Sequence, residues 1–273
     1  MARSGTVAVT GGGTGLGLGF VAEFARRGRK VMALALDESQ RAAVEEATAG
    51  LPGEVEFSIL DVTRPGDFAF PEDIDVLVNN AGIRLKNIPV EEIGMDEWRR
   101  YFDVNFFGTV DMTKRALPLM RARGAGTICN VSSASVYVPI PFLGPYRSTK
   151  WAVSAFSETL RTEVEQFGIR VLEFLPGAVR TGMNVESVTR IIAQAVDCPP
   201  YAAMARKQHE LSKAANVVPI EIDEAARYMV DAVEAPYTRM RYGSDAPSTA
   251  MMDGWRKDGG EATIAAFIAS LTP

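Results

Sequence analysis

The chain has 273 residues, a net charge of −5, 47% hydrophobic and 23% charged residues, an ordinary globular balance with enough length to bury a large core. Its Lys and Arg are scattered, which excludes the basic footprint of a nucleic-acid binder. No stretch approaches the ~18 apolar residues of a membrane helix and no signal-peptide pattern is present, so a cytoplasmic protein without membrane attachment is expected.

Apolar runs alternate with helix-length segments, the pattern of βαβ units and a parallel sheet. Strands are expected near Thr6–Thr10, Lys30–Leu36, Val55–Leu60, Asp75–Asn79, Thr127–Val131 and Arg170–Leu175, with a last short one at Arg239–Gly243. Runs such as Val76-Leu77-Val78 and Ile128-Cys129-Asn130-Val131 lack polar alternation, as strands buried on both faces do. Helices are expected at Gly17–Arg27, Glu38–Ala49, Asp96–Arg123, Tyr146–Phe167 and Asp223–Ala235. Pro118 should kink or end the third. Only 13 residues separate Asp61 from Asp75, Pro65, Gly66 and Pro71 among them, so a loop or single turn is expected there. With no repeat or linker, residues 1–273 read as a single α/β domain.

The first strand runs into Thr10-Gly11-Gly12-Gly13-Thr14-Gly15-Leu16-Gly17 and then a helix. Glycines in a strand-to-helix turn let the backbone approach a pyrophosphate, and the helix N-terminus supplies free N–H groups. Neither GxGxxG nor the Gly-Lys-Ser/Thr of a P-loop is present. Downstream, Tyr146 stands four residues before Lys150, on the same helix face, and 13 residues after Ser133. A phenol titrates near pH ~10, and a close ammonium lowers that by roughly 1–3 units. Tyr146 is therefore a candidate acid/base, and Ser133 a candidate donor to the oxygen that gains or loses the proton. Cys129 and Cys198 have no metal-type spacing, and His209, the only histidine, has no triad partner near it, so neither a metal site nor a Ser-His-Asp triad is expected.

The glycine motif Thr10–Gly17, then Asp61-Val62, Asn79-Asn80-Ala81-Gly82, Asn105, Ser133, Tyr146-x-x-x-Lys150 and Pro176-Gly177 with Thr181 occur in one order. That order resembles the short-chain dehydrogenase/reductase family, over roughly residues 6 to 182. The resemblance implies a Rossmann-like doubly wound parallel sheet and an NAD- or NADP-dependent oxidoreductase. It makes Tyr146 the general acid/base and Lys150 its partner and a nicotinamide-ribose ligand. Ser133 would orient the substrate oxygen, with Ser132 as the alternative serine, and Asn105, in a helix bend, would hold a relay water. Cofactor contacts would come from Gly11, Thr14, Gly15, Leu16 and Gly17, from Asp61 and Val62 at the adenine, and from Asn80, Ala81 and Gly82. Pro176, Gly177, Val179 and Thr181 would complete them near the carboxamide. Asn79 would tie neighbouring strands, and Asp61 has capping of its own loop as the competing role.

An acidic residue at the end of the second strand marks NAD, and a nearby Arg marks NADP. The family's acidic position, 18 residues after the last motif glycine, is Ala35 here, followed by Leu36 and then Asp37. Asp37 favours NAD if it reaches the ribose, and a helix N-cap is its competing role. The family's substrate lid falls on Gly182–Val218, with Met183, Val185, Val188, Ile191, Ile192, Tyr201, Met204 and Leu211. The loop after Ser133 adds Val136, Tyr137, Val138, Ile140, Phe142 and Leu143. These apolar residues, and a likeness to steroid- and retinol-type members, point to a lipophilic or cyclic secondary alcohol/ketone pair. Simple packing of the lid onto the body is the alternative role for them. By analogy a homodimer or homotetramer is expected, paired through the two long helices. The rival function is a cofactor-binding regulatory protein that has lost turnover.

Overall fold

The computed structural model describes residues 5–182, 194–214, 218–236 and 239–271. Its strands are β1 Thr6–Thr10, β2 Val31–Ala35, β3 Val55–Ile59, β4 Ile74–Asn79, β5 Gly126–Val131, β6 Ile169–Leu175 and β7 Arg241–Gly243. They pair in parallel in the order β3-β2-β1-β4-β5-β6-β7. The chain runs outward from β1 to β3, then returns to the other side of β1 and continues to β7. The carboxyl ends of β1 and β4 therefore frame the crevice where ligands sit in open parallel sheets.

The unbroken apolar runs are explained by the two faces of this sheet. Val7 and Val9 pack with Phe20, Val21 and Phe24 of helix α1 (Gly15–Arg26) and with Met229, Val230 and Val233 of helix α7 (Ile222–Glu234). Ala8 and Leu77 turn the other way, towards Met112, Ala116 and Met120 of helix α4 (Gly108–Arg123) and Leu160 and Val164 of helix α5 (Gly144–Val164). Each fully buried Leu, Ile or Phe contributes roughly 1.5–3 kcal/mol, so neither face can be left uncovered.

Helix α2 covers Arg41–Thr48 and follows a 3₁₀ turn, Glu38–Gln40. The helix expected at Asp96–Arg123 is three pieces: α3 Met95–Phe102, a π-helical turn Asp103–Phe107, and α4. Pro118 neither ends nor interrupts α4, which runs to Arg123 and stops at Gly124 with φ 65°. The break lies instead at Asn105, whose C=O accepts from Thr109 Oγ at 3.2 Å. Residues between Asp61 and Ile74 form turns with no helix, as the prolines predict.

Three further helices were not expected: α6 Ala202–Ala214, α8 Ala246–Asp258 and α9 Glu261–Leu271. Within the expected lid, Met183, Val185, Val188, Ile191 and Ile192 lie outside the described residues. Tyr201 and Met204 pack with Phe142, Ala195 and Ala205. Among the described residues no helix is long and apolar enough to cross a membrane.

Candidate active site

One cavity of about 1910 Å³ opens along the carboxyl ends of the strands. Gly11, Thr14, Gly15, Leu16 and Gly17 line one stretch of it, Asp61, Val62, Asn80, Ala81 and Gly82 another. Ser133, Tyr146, Lys150, Pro176, Gly177, Val179 and Thr181 line it as well. Segments from six regions of the sequence are thereby brought together.

The glycine turn is built by close approach. Gly11 sits at φ +64°, and a Cβ there would stand 3.0 Å from Ala81 Cα. A Cβ on Gly17 would stand 2.1 Å from Gly11 O and 2.5 Å from Asn80 Nδ2. Thr10 fastens the turn to β4, its hydroxyl oxygen accepting from the amides of Asn80 and Ala81, both at 3.0 Å. Asn80 Nδ2 donates to Thr10 O at 3.0 Å. The N-terminus of α1 has no side-chain cap from Thr14 and no acidic residue in its first turn. Uncapped N–H groups and the positive end of the helix dipole therefore meet the cavity, which fits a pyrophosphate. The residues present fit a nicotinamide dinucleotide on this count.

Asp61 lines the cavity while its Oδ1 accepts from Thr63 N at 2.9 Å and Thr63 Oγ at 2.8 Å. Asn79 serves the sheet, as expected, donating to Thr113 Oγ at 3.0 Å and Asn130 Oδ1 at 2.9 Å. Asp37 does not line the cavity. Its carboxylate caps the 3₁₀ turn, accepting from Ser39 N at 2.9 Å and from the Ser39 hydroxyl, so its competing role as a cap is the one seen. Leu36 and Gln40 line the cavity beside it, and Gln40 Oε1 accepts from Leu36 N at 3.2 Å.

Ser133 and Ser132 divide cleanly. The Ser132 hydroxyl, buried, donates to Lys150 O at 3.1 Å and lies 3.3 Å from Ser154 Oγ. Ser133 begins a 3₁₀ turn and lies 2.9 Å from Ser135 Oγ. Burial raises the Tyr146 pKa above the usual 10.0, against the opposing pulls of Arg84 and of Ser133.

The expectation that Lys150 lowers the Tyr146 pKa needs revision. Lys150 Nζ lies 5.8 Å from the Tyr146 ring centroid and donates to Val131 O at 2.8 Å. The cation acting on the phenol is Arg84, whose Cζ is 5.7 Å from the ring centroid. Lys150 is 4% exposed, and burial brings its pKa down to about 8, against the opposing pull of Glu173. Glu173 is wholly buried on β6, held by Arg241 Nε at 2.7 Å and by the Ser154 hydroxyl.

A base whose folded pKa is depressed carries its burial penalty in full below that pKa and sheds it as pH rises towards the unfolded value. For Lys150 the window runs from about 8 to 10.5. Across it, the stability difference between wild type and Lys150→Met should move in favour of wild type by on the order of 3 kcal/mol. Denaturant melts of the two proteins at stepped pH measure this, and parallel stability profiles would refute it.

Asn105, expected to hold a relay water, ties two segments of the chain together. It is 1% exposed and does not line the cavity. Its Oδ1 accepts from Ile83 N at 2.7 Å, and its Nδ2 donates to Ile83 O at 3.1 Å and Thr149 Oγ at 3.1 Å. The side chain pins the loop after β4 to α5, which sets Gly82 and its neighbours against Lys150.

Of the apolar residues after Ser133, Val138, Ile140 and Leu143 line the cavity, joined by Leu211 of α6. Val136 and Tyr137 turn away into a cluster with Leu175 and Met252. Sequence reasoning missed Arg84 and Gln40 as cavity residues. A charged residue two positions after Asn80-Ala81-Gly82 was the available signal for Arg84.

A family model described as short chain dehydrogenase matches residues 5–191. Mouse dehydrogenase/reductase SDR family member 7B is 31% identical over 244 residues, 84% of this chain and 72% of that protein. In two other curated relatives the match spans 45% and 49% of their length. Among solved structures, a short-chain dehydrogenase from Streptomyces avermitilis superposes with a TM-score of 0.77 at 25% identity, covering 98% of each chain. A closed form of serine dehydrogenase complexed with NADP+ superposes with a TM-score of 0.70 at 25% identity, covering 87% of this chain and 93% of the other.

Proposed function

This chain belongs to the short-chain dehydrogenase/reductase family of oxidoreductases, and from that premise we propose that it interconverts a secondary alcohol and a ketone using NAD or NADP. The observation that carries the reading is the convergence of Ser133, Tyr146 and Lys150 on the same cavity as the open N-terminus of α1. A solved relative bound to NADP+ supports the cofactor class. When bound, the nicotinamide would supply or accept the hydride.

Everything else in the reaction falls to the chain's own groups. Gly11, Thr14, Gly15, Leu16 and Gly17 hold the pyrophosphate. Asp61, Val62, Asn80, Ala81 and Gly82 follow the adenosine and ribose, and Pro176, Gly177, Val179 and Thr181 the carboxamide end. Ser133 donates to the substrate oxygen. Tyr146 delivers a proton to that oxygen in ketone reduction and takes it back in alcohol oxidation. Its raised pKa keeps it protonated at neutral pH, the form ketone reduction needs. Alcohol oxidation should accelerate as pH rises towards the alkaline range, and a flat pH–rate profile between pH 7 and 10 would contradict this role.

The walls formed by Val138, Ile140, Leu143 and Leu211 suit a substrate with an apolar or cyclic body, with the segment 182–218 as its lid. Pairing through α4 and α5 into a homodimer or homotetramer completes the reading. With Asp37 engaged as a cap, the NAD preference first read from it has less support than the dinucleotide class itself. Titration with NADH and NADPH, followed by energy transfer from the tryptophans, decides the cofactor. Failure of both to bind would overturn the oxidoreductase reading.

A further inference from the structure

Arg84 lies on the loop after β4 and lines the cavity beside Tyr146. Its Nε and Nη2 both donate to one atom, Asn87 Oδ1, at 3.3 and 3.2 Å. Asn87 is itself buried, and its amide N–H donates to Gln194 Oε1 at 3.2 Å. The guanidinium is thus held by one edge, and the parallel N–H donors of its Nη1–Nη2 edge have no partner among the described residues. No carboxylate of those residues is paired with it. The groups acting on its charge are the phenols of Tyr146 and Tyr101.

A guanidinium half withdrawn from water, with no counter-ion among the described residues, is costly to keep. Its free edge matches a carboxylate, which accepts two parallel N–H bonds. A single cation balances one negative charge, which suits a carboxylate better than a phosphate ester dianion. The neighbouring Lys86 is already paired with Glu97 at 2.8 Å. Apolar walls at Val138, Ile140 and Leu143 leave the rest of the ligand lipophilic.

We propose that the substrate is an oxo acid or hydroxy acid, its carboxylate clamped by the Nη1–Nη2 edge of Arg84 while its carbonyl or carbinol oxygen meets Tyr146 and Ser133. This deepens the oxidoreductase reading and rests on it. The carboxylate takes no part in bond making. The hydride goes to the carbonyl carbon and the Tyr146 proton to its oxygen.

The test is a ladder of straight-chain 2-oxo and 3-oxo acids, their methyl esters and the neutral ketone cyclohexanone. Each is assayed with NADH and NADPH for wild type, Arg84→Met and Arg84→Lys. Wild type should prefer acid to ester. The acid-to-ester ratio of kcat/KM should fall about 100-fold in Arg84→Met, as for removal of one partner from a desolvated charge pair. Arg84→Lys, which keeps the charge without the fork, should fall between. Taking the ratio within each variant cancels any effect of Arg84 on the Tyr146 phenol, and thermal melts serve as the folding control. Esters used as well as acids, or an acid preference that survives Arg84→Met, would overturn the carboxylate clamp and leave the reductase reading standing. Turnover of cyclohexanone alone would do the same. Reduction of no carbonyl compound at all would overturn both.

Discussion

With Tyr146 replaced by phenylalanine, turnover should fall at least about 1,000-fold, within the range for loss of a positioned acid/base, while dinucleotide affinity changes less than about threefold. The Tyr146 phenol lines the cavity together with Ser133, and Ser133 favours its phenolate. Phenylalanine keeps the ring, so the face presented to Arg84 and Lys150 survives. Lys150 keeps its own anchor on Val131 O. The lost hydroxyl is worth at most one hydrogen bond, about 1 kcal/mol, too little to unfold the domain. Steady-state rates in both directions, set beside an NADH or NADPH fluorescence titration, measure the two halves separately. Normal turnover in the variant would mean that another group carries the proton. Loss of both turnover and binding would mean that the phenol oxygen also holds the cofactor site.

The second large effect is expected from Gly17→Ala. Alanine is normally the better helix residue, and Gly17 stands in the first turn of α1. Here the added methyl would collide with Gly11 O at 2.1 Å and Gly11 C at 2.9 Å. Those atoms are backbone of the turn and cannot swing aside. Either α1 or the glycine turn has to shift, at about 1–3 kcal/mol, and the uncapped N–H groups move with it. Dinucleotide affinity should fall at least about 100-fold and the melting temperature should drop. Gly28→Ala is the matched control. Gly28 has φ +74° with nothing within 4 Å of its missing Cβ, so its replacement should lower stability by about 1–2 kcal/mol and leave affinity alone. Equal affinity losses in the two variants would show that general destabilisation, and not the cradle, is being measured.

The central strands were legible because a parallel sheet buried on both faces favours runs of successive apolar residues. Val7, Ala8 and Val9 satisfy that demand from two sides at once. The helix break at Asn105 was legible only through the family resemblance. A π-helical turn has no propensity signal, and Pro118, the visible breaker, lies within α4 without ending it. Asp37 shows another limit. Sequence offers its carboxylate to a ribose or to the next turn, and only the fold reveals Ser39 taking it. The proximity of Tyr146 to Lys150 was readable from helix spacing, but the strength of their coupling was not. That depends on Val131 O, nineteen positions from Lys150, which claims the ammonium. Arg84 was hidden for the same reason, since its importance lies in what the fold leaves unpaired around it. Helix α8 did carry a local signal, the capping box of Asp245 and Ser248 at its start and Gly259 at φ 66° at its end.

The Thr10 hydroxyl that fastens the glycine turn does so through amides 70 and 71 positions away. A nascent chain that has emerged only as far as β3 therefore contains every glycine of the motif and none of the site. The phosphate cradle comes into being when β4 inserts beside β1, a long-range event of the kind that makes parallel sheets slow to fold. Dinucleotide present during synthesis can thus capture the sheet only after its central pair has closed, as a lock on the finished fold and not as a template for it.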